Sequence, residues 1–163
     1  MKKILLAIVA VIAIAGVVVW QLPSSAQTAP DVTFTTLTGE QFTTQDLRGK
    51  VVLVKFWATS CVTCVAQMPD NIENYNALKD RGYDTIAVAM QYDPPNYVKN
   101  FAESRELPFK VVIDANGEIA REFGDVRLTP TAFLIDKQGN IIRRYLGNYD
   151  KEAFLATVNK ALG

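Results

Sequence analysis

The chain has 163 residues, with 17 Lys and Arg against 17 Asp and Glu, no His and two Cys. Balanced and scattered charge creates no field that would draw in nucleic acid, so nucleic-acid binding is not expected. The lack of histidine removes the commonest metal ligand and the commonest general base, and with them zinc hydrolases and Ser-His or Cys-His triads.

Residues 1–22 begin with Lys2 and Lys3 and continue as an uncharged apolar run from Ile4 to Trp20. As a helix that run spans roughly 26 Å, slightly under a ~30 Å hydrocarbon core and long for the ~7 to 15 residues of a signal-peptide centre. It reads as an export signal, with a retained membrane anchor favoured over cleavage after Ser24-Ser25-Ala26. The two lysines stay cytoplasmic, so the remainder is expected on the periplasmic side of the inner membrane, or free in the periplasm if the signal is cut. Residues 23–30 are small, polar and proline-bearing and read as a linker, which leaves 31–163 as one domain.

"VTFTTL" and "EQFTT" flank Thr38-Gly39 and predict a short hairpin, followed by a helical turn in "DLRGK". "VVLVKFW", 51–57, is apolar almost throughout, as expected of a central strand covered on both faces. From Cys61 to about Asp80 the apolar positions recur at three and four, predicting one helix kinked at Pro69. A strand over 83–90, a helix over 95–106, a short strand over 109–114 and a short helix closed by Gly124 follow. "TAFLID" and "NIIRRYLG" flank Lys137-Gln138-Gly139 as a hairpin, and a last helix is capped by Asp150. The strand-helix-strand order implies parallel pairing and the hairpin adds antiparallel strands. The expected fold is therefore α/β, a mixed central sheet with helices on both faces and an N-terminal β-hairpin extension.

Both cysteines fall in one stretch, "KFWATSCVTC", at the junction of the central strand and the first helix. Unpaired amides at a helix start stabilise a thiolate, lowering a cysteine pKa from about 8.5 toward ~3.5 to 7.5, so Cys61 is the expected nucleophile. Cys64 lies one turn further on and can close a disulfide with it. Attack by Cys61 on a disulfide and resolution by Cys64 make up thiol-disulfide exchange. Two other readings compete. A purely structural disulfide would close too small a loop to stabilise much, and a zinc site needs four ligands where the chain offers two.

"FWATSCVTC" followed by "QMP", "LPFKVVIDANGEIAREFG" and "TPTAFLIDKQGNIIRRYLG" resembles the thioredoxin-like disulfide oxidoreductases of the TlpA type, which include cytochrome c maturation reductases. The likeness spans roughly 31–162. It implies a thioredoxin fold, with Cys61 exposed and Cys64 buried, and no bound cofactor. It also implies a cis bond at Thr129-Pro130, where the loop pairs with a substrate's backbone and the proline keeps metals from the thiols. Trp57 is expected beneath the motif and at the substrate-binding surface.

Departures from that pattern matter as much. Ser60 stands where many relatives have Trp, and Val62 and Thr63 stand between the cysteines, where Pro is common and the residues help set the potential. Gln67 replaces a Glu that accepts a proton. A peroxidase would need Thr at Ala58. Lys55 takes the place of the buried Asp of cytosolic thioredoxins, and a cation there would favour thiolate and make the pair more oxidising. The competing reading of Lys55 is a packed stem whose amine reaches water.

The function expected is reduction of disulfides in exported proteins, with the pair recharged by a membrane electron-donor thiol protein and the chain tethered to the membrane by its N-terminal segment. The alternatives are an oxidant or isomerase of the same proteins, and a non-catalytic binding module on the same fold.

Overall fold

The computed structural model describes residues 27–163, so the expected anchor and the first part of the linker lie outside the described residues. Strands β1 (Gln27–Thr28), β2 (Thr33–Thr35) and β3 (Gln41–Thr43) precede the central β4 (Val51–Trp57). Helices α1 (Val62–Ala66) and α2 (Met68–Leu78) lead into β5 (Tyr83–Ala89), α3 (Pro95–Ser104), β6 (Lys110–Ile113) and α4 (Glu118–Glu122). The chain closes with β7 (Thr131–Ile135), β8 (Asn140–Leu146) and α5 (Lys151–Leu162).

Six strands form one sheet in the order β1-β8-β7-β4-β5-β6, while β2 and β3 pair separately. The crossovers make β4-β5 and β5-β6 parallel, and the hairpin makes β7 antiparallel to both β4 and β8. This is the mixed sheet expected from the element order. Every residue of β4 and β5 is buried, which explains why β4 reads as an apolar run without alternation, interrupted only by Lys55.

Alternate residues of β4 serve different layers. Val52, Val54 and Phe56 pack with Phe34 and Phe42 of the N-terminal hairpin and with Phe123 beyond α4. On the opposite face Val51 and Leu53 meet Phe154 and Val158 of α5, and Trp57 meets Cys64, Met68 and Val98. Lys55 lies on that second face, between Leu53 and Trp57, where the two helical clusters adjoin.

Two local expectations change. The helix expected over 61–80 is two helices that meet at Gln67, with Pro69 in the first turn of the second. Proline has no amide to give and its fixed φ suits a helix start, so the chain ends one helix and begins another. Residues 27–30, read as linker, are joined to the fold: Gln27 and Thr28 pair with Ile141 and Asn140, and the Ala29 amide donates to the Gly139 carbonyl at 2.9 Å. The β8 edge would otherwise present unpaired backbone groups, and two residues suffice to cover part of it. No periodicity can announce so short a strand.

Candidate active site

The site grows from the C-terminal end of β4. Phe56 pairs with Thr131, which places Pro130 level with Trp57 at the end of the sheet where α1 begins. Cys61 is the N-cap of α1, and its Sγ accepts the Cys64 amide at 3.2 Å. The two cysteines form a disulfide with Cα atoms 5.2 Å apart. Cys61 is half-buried while Cys64 is fully buried, so only the first sulfur is open to a second molecule. The same amide that contacts Cys61 Sγ would stabilise its thiolate after reduction.

Between the cysteines, Val62 projects into solvent at 84% exposure and Thr63 is half-buried. Thr129-Pro130 is cis. Pro130 accepts the Gly147 amide through its carbonyl at 2.9 Å, and Thr129 Oγ1 lies 3.3 Å from the Tyr92 hydroxyl. The loop is therefore held from β8 on one side and from the β5-α3 turn on the other.

Trp57 does not lie where it was expected to meet substrate. It is fully buried, packed with Cys64 and Met68 and against Phe101 at 5.1 Å between ring centroids. Its inward position on β4 makes it a support beneath Cys64, with no surface for a partner.

Lys55 is likewise buried, at 1% exposure, so its amine does not reach water. Nζ donates to Gln67 Oε1 at 2.6 Å and lies 5.7 Å from the centroid of the Tyr149 ring. Burial pulls the lysine down to about 7, and the charge of Asp70 opposes that shift. Gln67 passes the contact on, its amide donating to Gly147 O at 3.3 Å and Asn148 Oδ1 at 3.0 Å. A glutamate at 67 would have no hydrogen to offer these acceptors.

Sequence reasoning missed Asp93. Its buried carboxylate accepts the Thr59 amide at 2.6 Å and the Thr59 hydroxyl, pinning the loop that carries Ser60 and Cys61. The available signal was an acidic residue directly before Pro94-Pro95, shortly after a buried strand.

Residues 24–162 match the Redoxin family. Over 124 residues the chain is 39% identical to the thiol-disulfide oxidoreductase ResA of Bacillus thuringiensis subsp. konkukian, covering 76% of this chain and 70% of that protein. Among solved structures it is similar to a thiol:disulfide interchange protein of the thioredoxin family from Chlorobium tepidum, with TM-score 0.78, 28% identity and coverage of 86% and 99% of the two chains. It also resembles the exposed lipoprotein thioredoxin Etrx1 of Streptococcus pneumoniae, with TM-score 0.70, 28% identity and coverage of 80% and 98%.

Proposed function

The chain belongs to the Redoxin family and is a thiol-disulfide oxidoreductase, and from that premise we propose that it reduces disulfides of exported proteins outside the cytoplasmic membrane. The observation that carries this reading is the asymmetry of the pair: an accessible Cys61 whose sulfur faces an amide, and a buried Cys64 within disulfide reach.

In the reduced protein the Cys61 thiolate attacks one sulfur of the substrate disulfide. A mixed disulfide forms and the other substrate sulfur leaves as a thiolate. Cys64, deprotonated, then attacks the Cys61 sulfur, closing Cys61–Cys64 and releasing the second substrate thiolate. Two electrons pass from the pair to the substrate. Thr129 and Pro130 receive the substrate's backbone beside the sulfur, and Val62, Thr63, Gln67 and Lys55 tune the potential. No bound cofactor is required.

Residues 1–22 serve as the membrane anchor, and a membrane thiol protein returns the electrons. Lys2, Lys3 and the uncharged run after them support that placement, and the likeness to an exposed lipoprotein thioredoxin supports a position outside the cytoplasm. Cytochrome c precursors and metallochaperones are the exported thiol proteins that fit. The buried cation Lys55 favours a second reading, in which the pair oxidises or isomerises such proteins instead.

Replacement of Cys64 by Ser tests the first reading directly. The full-length variant should accumulate a Cys61-linked mixed disulfide with a disulfide-bonded protein, detectable by mass, and Cys61→Ser should accumulate none. Full activity in the double Cys→Ser variant would instead mark a binding module.

A further inference from the structure

Beside the nucleophile, on the α3 side, lies an open groove of about 510 Å³ lined by Thr59, Ser60, Tyr97, Asn100, Phe101 and Ser104. No Lys, Arg, Asp or Glu borders it. Two of its four hydroxyls are engaged elsewhere: Thr59 bonds to Asp93, and Ser104 donates to the Phe101 carbonyl at 3.3 Å. Besides the polar ends of Ser60, Tyr97 and Asn100, the groove offers ring surface. Phe101 leans on Trp57 from within the groove, and Tyr97 stands 58% exposed on its wall.

The residue at 60 controls this space. Ser60 is exposed, lines the groove and directly precedes Cys61, so the groove lies next to the residue whose sulfur must touch the substrate. Consecutive Cα atoms are about 3.8 Å apart, so whenever a substrate cysteine reaches Cys61 the next side chain on the substrate falls within reach of the groove. An aromatic side chain at 60 would occupy it from this chain instead.

We infer that the groove is a specificity subsite that takes an aromatic or branched aliphatic side chain adjacent to the cysteine of the target disulfide. The inference rests on the reading of Cys61 as the attacking sulfur. The occupant's chemistry follows from the lining. An apolar side chain loses no hydrogen bonds on entry and covers exposed rings, whereas a carboxylate would give up water with no cation among the lining residues, Arg105 being stacked over the Phe101 ring at 5.7 Å.

The test uses reduced full-length protein and symmetric peptide disulfides that differ only in the residue after cysteine, Phe, Leu, Ser or Asp. Each second-order rate is divided by the same protein's rate on glutathione disulfide, which reports exchange without the subsite. The Phe and Leu peptides should react about tenfold faster than the Ser and Asp peptides. Ser60→Trp, which fills the groove, and Tyr97→Ala, which removes its wall, should each bring that ratio within about twofold of unity. Equal rates across the peptides in the unmodified protein, or a preference that survives in Tyr97→Ala or in folded Ser60→Trp, would overturn the subsite. No reaction with glutathione disulfide would overturn the exchange reading itself, and the subsite with it.

Discussion

Lys55 and Gln67 are joined by a hydrogen bond of 2.6 Å, donated by Nζ to Oε1, beneath a pair of cysteines that ends three residues before Gln67. Through the Gln67 amide and Gly147 the same chain of contacts reaches the Pro130 carbonyl. A buried amine and the loop expected to hold substrate thus share one network. In the folded protein the amine titrates at about 7 because burial disfavours its charge.

The charge on Lys55 should show in the redox potential. A cation near Cys64 stabilises the thiolate of the reduced pair, and stabilising the reduced form raises the potential. Lys55→Met is therefore expected to lower it by about 10 to 30 mV at pH 7, where 30 mV corresponds to about 1.4 kcal/mol. At pH 9 the lysine is neutral and the difference should vanish. Paired thiol-buffer equilibrations at the two pH values read this, and a gap of equal size at both would rule out the charge as its cause.

Stability should rise with pH over an unusual window. The Lys55 amine binds its proton below about 10.5 in the unfolded chain but only below about 7 in the fold. Between these values the unfolded state holds the extra proton, so unfolding becomes costlier by up to about 1.4 kcal/mol per pH unit. Above about pH 10 the sign reverses: tyrosines ionise in the unfolded chain, while burial pushes Tyr149 up to about 12. Urea midpoints of the disulfide form, in which no thiol titrates, should climb from pH 7 to 9.5. In Lys55→Met they should stay nearly flat.

Asp93 should matter to the loop more than to the chemistry. Asp93→Ala leaves the Thr59 amide without its acceptor in a half-buried turn, at a cost of about 1 to 3 kcal/mol. Amide exchange at Thr59, Ser60 and Cys61 should accelerate together, with β5 and β7 unchanged. Unaltered protection at Thr59 would show that the carboxylate does not hold the turn.

The legible parts of this fold were those with a period or a punctuation mark. Buried strand 51–57 announced itself as an almost wholly apolar run, and Asp150 as an N-cap: its side chain accepts the Ala153 amide at 2.7 Å. The exchange pair was legible because two cysteines three apart at a strand-helix junction have few other uses. Illegible were relations between distant residues. The strand at 27–28 exists only because the β8 edge is open to it, and Asp93 is a loop anchor only because Thr59 folds against it. Lys55 could be placed on β4 from sequence, but its burial and its bond to Gln67 depend on α2 covering that face. Trp57 packs beneath the motif as expected, while its expected role at the substrate surface fails because strand parity and the packed helices turn it fully inward.

A pair that donates electrons to substrate disulfides must have a low reduction potential. The most direct test of that donation is the reduction potential of Cys61–Cys64 in the full-length chain, equilibrated at pH 7 with defined thiol buffers and read as free thiols. A value below roughly −230 mV, on the side of thioredoxin at about −270 mV, is the expected result. A value above roughly −170 mV, toward a strong oxidant near −120 mV, would contradict it and make the protein an oxidant or isomerase.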